Sequence, residues 1–223
     1  MLCLLQTRQT NCLSIFVRMN KINYQKELDK VINNCVQSNT TPSLLLHACC
    51  APCSSYCLEY LSDYFNITVF YFNPNISLKE EYEYRLNEEK RLISLMSFKN
   101  PVKIIEGKYD SKSFFDAVRG LESEPEGGKR CEECFKLRLC ASAKLAKELR
   151  FDFFTTTLTI SPLKNADLLN QIGEQIGNKY GVKWLYSDFK KREGYKRSIA
   201  LSQEYNLYRQ NYCGCVFSKP QAN

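Results

Sequence analysis

Thiols dominate the chemistry open to this chain, which carries twelve cysteines against a single histidine, His47, in 223 residues. Leu46-His47-Ala48-Cys49-Cys50-Ala51-Pro52-Cys53-Ser54 puts two adjacent thiols at the end of an apolar run and a third three residues on. Cys131-Glu132-Glu133-Cys134 opens a helical pattern after Gly127-Gly128-Lys129-Arg130. Cysteines at helix starts face unpaired N–H groups and the positive end of the macrodipole, which favour the thiolate, the form that metals bind. Brought together from two loops, Cys49, Cys50, Cys131 and Cys134 make a four-thiolate set that suits an iron–sulfur cluster or a Cys₄ zinc site. Spacing does not choose the metal, although adjacent cysteines are unusual for a zinc ribbon. A third pair is Cys213-Gly214-Cys215, where Gly214 lets the backbone fold tightly enough for a strained, reducible disulfide. A redox-active pair is the favoured reading there, ahead of a metal-ligand pair or inert thiols. Cys53 and Cys57 stay open, and Cys53 lies close enough to the metal loop to bind a second metal. Cys140, near Leu137 and Ala141 on an apolar helix face, reads as core, and no role is expected for Cys3, Cys12 or Cys35. His47, beside a strand, reads as a hydrogen-bonded core histidine.

A composition of 44% hydrophobic and 25% charged residues excludes intrinsic disorder and a collagen-like chain. No run of about 18 or more apolar residues predicts a membrane span. Gln6 and Arg8 interrupt the apolar start with no basic region before it, so no secretory signal is expected and the location is read as cytoplasmic. A reducing compartment keeps thiols for metal or redox chemistry more often than for structural staples. The net charge of +7 suits a polyanion such as RNA. A Ser-His-Asp hydrolase would depend on His47 alone.

The elements that must position these groups follow from five apolar runs rich in β-branched or aromatic residues: Ser43 to Ala48, Ile67 to Phe72, Val102 to Ile105, Phe151 to Thr157 and Val182 to Tyr186. Each reads as a buried strand. Helical patterns alternate with them, one after a Ser77-x-x-Glu80 capping box and one after Ser161-Pro162 as N-cap and first helical residue. The alternation predicts a doubly wound, mostly parallel five-stranded α/β sheet with helices on both faces, of Rossmann-like class. Ligands of such sheets bind outside the carboxyl ends of the strands, where His47-Ala48-Cys49-Cys50 stands. One catalytic domain carrying the metal site is expected over residues 20–223, with residues 1–19 an extension and Met19 a candidate start.

The same residues resemble a known family, the cobalamin-independent epoxyqueuosine reductases of the QueH type. The resemblance rests on Leu46 to Ser54, on Tyr71-Phe72-Asn73-Pro74-Asn75-Ile76, on Pro125 to Cys134 and on Phe154-Thr155-Thr156-Thr157-Leu158. It continues through Ser161-Pro162-Leu163-Lys164, Asp188-Phe189-Lys190-Lys191 and Leu207 to Cys215, covering roughly Asn20 to Ser218. It implies a [4Fe-4S] cluster on Cys49, Cys50, Cys131 and Cys134, a redox-active disulfide between Cys213 and Cys215, and no cobalamin. It also implies a tRNA substrate bearing epoxyqueuosine at the wobble position, reduced to queuosine in the last step of queuosine biosynthesis with electrons from an unidentified donor.

If four cysteines saturate the cluster, a second iron near Cys53, Asp110 or Asp188 becomes attractive. Lys190, Lys191, Arg192, Lys196 and Arg197 are candidates for anticodon phosphates. Tyr71, Tyr109, Tyr208 and Tyr212 are candidates to stack on an extruded base. Two other readings compete. A thiol-disulfide oxidoreductase would use Cys50-Ala51-Pro52-Cys53 between strand and helix, and a zinc-dependent RNA-binding module would use the four thiolates structurally.

Overall fold

The computed structural model describes residues 22–219. Its centre is β1 (Ser43–Ala48), apolar on both faces and buried from its second residue onward, as a parallel strand covered on both sides must be. β1 pairs in parallel with β2 (Asn66–Tyr71) and with β4 (Phe153–Thr156), and β3 (Lys103–Glu106) and β5 (Lys183–Trp184) form the edges. The order is β3-β2-β1-β4-β5. The chain therefore builds outward from β1 in one direction, then returns to add β4 on its other side. That reversal opens a crevice between the ends of β1 and β4.

Alternation along the strands separates two cores. Leu44, Leu46 and Ala48, with Ile67, Val69 and Tyr71, pack against α1 (Tyr24–Gln37), α2 (Ala51–Leu61) and α3 (Lys79–Leu95). Leu45, Phe70 and Phe154 face the opposite way, onto α5 (Lys129–Glu148) and α6 (Ala166–Tyr180). α7 (Gly194–Glu204) lies on α2, and α4 (Ser111–Ala117) leads toward α5. Among the described residues no helix is long and apolar enough to cross a membrane.

The doubly wound sheet agrees with the sequence reading, and β1 has the expected bounds. β4 and β5 are shorter than their apolar runs, because Thr157–Ile160 coils into a 3-10 turn and β5 pairs over two residues only. Two caps differ from expectation. α3 is capped by Leu78 without a side-chain bond, since Ser77 spends its hydroxyl on the backbone N–H of Val216. α6 is capped by Asn165, whose side chain accepts from Leu168 N, and Ser161-Pro162 stays in the turn before it. The expected extension over residues 1–19, with Cys3 and Cys12, lies outside the described residues.

Close packing of α6 on the sheet depends on a missing side chain. A Cβ at Gly173 would overlap the indole of Trp184, whose Nε1 donates to Asn170 Oδ1 at 3.0 Å. Gly173→Ala is expected to cost about 1–3 kcal/mol through overpacking, despite its better helix propensity. Urea melts of the two proteins measure it, and an unchanged midpoint would contradict this packing.

Candidate active site and metal centre

A cavity of about 350 Å³ lies in the crevice, and its walls carry Cys49, Cys50, Cys53, Cys131, Cys134, Cys213 and Cys215. The first three come from the turn between β1 and α2. Cys50 is the extended N-cap of α2, Pro52 occupies the first turn, and Cys53 follows at the third helical position. Proline suits that turn because its missing N–H would be unpaired there anyway. Thr157, in the turn after β4, meets Cys49 from across the crevice, with its hydroxyl 3.6 Å from the Cys49 sulfur.

The sulfurs of Cys49, Cys50 and Cys53 all lie within 4.8 Å of one another, with 3.7 Å between Cys49 and Cys50. Hydrogen bonds from the Cys50 and Cys53 thiols hold Cys49 well below the ordinary thiol range. Cys50 is pushed up to about 12 because it donates to Cys49, and Cys53 is raised for the same reason. Cys49 thus favours the thiolate, and its two neighbours favour the thiol. A tetrahedral ion with metal–sulfur bonds of about 2.3 Å spaces its sulfurs about 3.8 Å apart. The three cysteines could therefore hold a metal ion, which would displace their thiol protons.

Cys131 and Cys134 occupy another wall, in the first turns of α5. Gly127, at φ +87°, turns its N–H onto the Cys131 sulfur at 3.2 Å. Burial pushes the Cys134 thiol up. The four thiols expected to act together line one cavity, but the tight sulfur group is Cys49, Cys50 and Cys53, with Cys131 and Cys134 outside it.

The Cys213-Gly214-Cys215 segment forms a further wall and is held from the loop between β2 and α3. Asn75 Nδ2 donates to the Cys213 carbonyl at 3.1 Å, and the Ser77 N–H donates to the Gly214 carbonyl at 3.1 Å. Arg85, itself buried and ion-paired with Glu81 at 2.6 Å, donates to the Cys213 carbonyl at 3.3 Å. Only glycine fits at 214, where φ is +101° and a Cβ would come 2.7 Å from Ile76 Cγ1. A hydrogen bond from Cys215 brings the Cys213 thiol down to about 5, and the Ser218 hydroxyl, 2.9 Å from the Cys213 sulfur, donates to the Cys215 carbonyl. Cys215 is raised because it donates to Cys213. Cys213 is thus a thiolate at neutral pH and Cys215 keeps its proton.

His47 is a fully buried core histidine, as its sequence position suggested. Its Nε2 lies 3.1 Å from the Phe72 carbonyl, which can only accept, so Nε2 carries the proton and Nδ1 accepts from Thr156 Oγ1 at 2.8 Å. Burial and the Arg138 charge lower it to about 3, leaving it neutral. Of the four tyrosines named above, only Tyr212 lines the cavity, while Tyr71 is buried in the core. The basic segment is largely neutralised, with Lys190 on Asp188, Arg192 on Asp29, Lys196 on Glu193 and Arg197 on Glu59. Asp110 caps α4 and neither it nor Asp188 lines the cavity, whereas Cys53 does. The residues that sequence reasoning missed, Arg85, Arg138 and Ser218, stand in helical or polar patterns with nothing to mark them as buried beside thiols.

A parallel sheet whose switch-point crevice is walled by thiols, three of them close enough to hold a metal ion, is an α/β arrangement suited to metal or redox chemistry. Residues 44–221 match the family model for epoxyqueuosine reductase QueH, a span that contains every thiol of the cavity. Epoxyqueuosine reductase QueH of Staphylococcus epidermidis is 45% identical over 206 residues, 91% of this chain and 87% of that protein. Its counterpart in Streptococcus pyogenes is 44% identical over 92% of this chain and 82% of that protein, and that of Staphylococcus aureus is 43% identical over 92% and 87%. The chain belongs to the epoxyqueuosine reductase QueH family.

Proposed function

We propose that this protein reduces epoxyqueuosine to queuosine at the wobble position of tRNA, in the cytoplasm and without cobalamin. The observation that carries the reading is the gathering of two distinct thiol sets around a single crevice. Removing an epoxide oxygen consumes two electrons and two protons and leaves an alkene and water. Cys213 and Cys215 can supply both electrons as they pass from thiolate and thiol to disulfide; the Cys215 proton is one of the two that the water needs, and the second comes from solvent. An external donor, of identity still to be found, then restores the dithiol.

Cys49, Cys50, Cys131 and Cys134 would hold a [4Fe-4S] cluster, because four thiols on facing walls are the donor set such a cluster requires. When bound it supplies electrons singly. Cys53, the fifth thiol beside Cys49 and Cys50, is the residue best placed to hold a second iron. Around these groups the chain binds and orients. A cavity of about 350 Å³ falls in the range that encloses a small ligand. Tyr212 and Tyr195 line it and offer rings on which an extruded base can stack. Lys164 and Arg209 also line it and offer positive charge to the flanking phosphates.

Anaerobically reconstituted protein is incubated with epoxyqueuosine-bearing tRNA and dithionite, and the digested nucleosides are weighed. A nucleoside lighter by one oxygen is expected. Intact epoxide from a preparation with full iron and sulfide content would overturn the proposal, and a colourless protein holding one zinc would favour a structural metal instead.

A further inference from the structure

Arg138 stands on α5 one turn beyond Cys134, is 3% exposed, and lines the same cavity as the thiols. Its Nε donates to the Cys134 carbonyl at 3.3 Å, and its Nη1 donates to Asn73 Oδ1 at 3.4 Å. Its guanidinium carbon lies 5.7 Å from the Phe135 ring centre. Both hydrogen bonds are long, and both acceptors are neutral. Among the described residues no carboxylate pairs with it.

Of the other two buried arginines, one has a carboxylate and the other has a fuller set of neutral acceptors. Arg85 has the carboxylate of Glu81. Arg130 has the carbonyls of Leu121, Glu122 and Glu124 on one nitrogen, although its Nε has no partner. A buried cation without a partner is costly, since desolvation removes several kcal/mol of hydration that nothing returns. Its neighbours deepen the problem. Lys164 and Arg209 add further positive charge at the same cavity.

A net negative occupant of the cavity would resolve the arrangement. Four thiolates around a [4Fe-4S] core of charge +2 carry a net charge of −2, and one-electron reduction makes it −3. We infer that Arg138 is the built-in counter-cation of the centre held by Cys49, Cys50, Cys131 and Cys134, and that it sets how readily that centre accepts an electron. The inference rests on the iron–sulfur reading above. It assigns Arg138 a positioning and tuning role, because the guanidinium bonds to the backbone of a ligand rather than to substrate. The charge favours the reduced, more negative state, and so raises the reduction potential.

The test compares Arg138→Met, which keeps most of the volume, with Arg138→Lys, which keeps the charge. In redox titrations of the loaded proteins with dithionite, Arg138→Met is expected to need a potential at least 59 mV lower for half-reduction, a tenfold change in the one-electron equilibrium. Arg138→Lys should stay near the wild type. Metal-free Arg138→Met should melt no lower than metal-free wild type, yet gain less on loading. Should Arg138→Met not fold, Arg138→Gln, which keeps a donor and loses the charge, takes its place. An unchanged potential at full iron content, or equal shifts in the methionine and lysine variants, would overturn the role. Failure of the iron–sulfur reading is seen separately, in iron and sulfide analysis of the wild type. The melting comparison then runs on the zinc-loaded protein, where four thiolates on one zinc again carry a net charge of −2. An equal gain on zinc loading in wild type and Arg138→Met would overturn the counter-charge role there.

Discussion

Glu89→Gln is expected to stabilise the metal-free protein strongly at pH 9 while leaving it almost unchanged at pH 4.5. Glu89, on α3, is fully buried, and neither carboxyl oxygen has a hydrogen-bond partner. Burial, with a smaller push from the negative charge on Cys49, raises its carboxyl to about 8. A contrary pull comes from the nearby Ser54 hydroxyl, but that hydroxyl donates to the Cys50 carbonyl at 3.1 Å, so the burial effect stands. An unfolded glutamate titrates near 4.3. Between those values the folded chain holds one proton more than the unfolded chain, so stability falls as pH rises and levels off above about 8. At about 1.36 kcal/mol per pH unit the loss sums to roughly 3–5 kcal/mol. Glutamine has no proton to lose. Urea melts of both proteins at pH 5, 7 and 9 measure the divergence, and parallel curves would mean that the carboxyl titrates normally.

The second large effect concerns turnover. Cys213→Ser should keep its metal yet lose multiple turnover, because serine cannot form the disulfide that releases an electron pair. The site gives this loss a polarity. Cys213 is the thiolate, and burial together with the bond it donates keeps Cys215 protonated. Alkylation at pH 6 should therefore label Cys213 far faster than Cys215 in the reduced protein. Cys49→Ala should fail differently, losing iron and sulfide as well as activity. Mass mapping of the label, iron analysis and multiple-turnover assays separate the cases. Wild-type turnover in Cys213→Ser would remove the pair from the reaction.

Strand positions were legible because a strand buried on both faces leaves a mostly apolar run, as Leu44 to Leu46 do in Ser43–Ala48. The thiol positions were legible because the sheet class directs ligands to strand ends. The caps were not. Ser77 and Glu80 have capping-box spacing, but Ser77 is taken by Val216, 139 residues away, and no local window contains that competitor. The pairing of the basic segment was hidden for a similar reason. Its partners Asp29 and Glu59 come from other elements, so the charge run is mostly neutralised by the fold. The closeness of Cys53 to Cys49 and Cys50 was suggested by sequence, whereas the isolation of Arg138 required the packed structure.

The loop that holds the Cys213 segment grips main-chain carbonyls. Asn75, Ser77 and Arg85 meet the oxygens of Cys213 and Gly214, and Arg85 also reaches that of Tyr212. None of these contacts touches a sulfur. Oxidation and reduction of the pair would therefore leave the grip unaltered, and reorganisation on each cycle would be confined to two side chains and the Ser218 hydroxyl. A shuttle anchored in this way recovers its starting geometry without refolding. Preorganisation of that kind lowers the penalty for repeating a reaction rather than for performing it once.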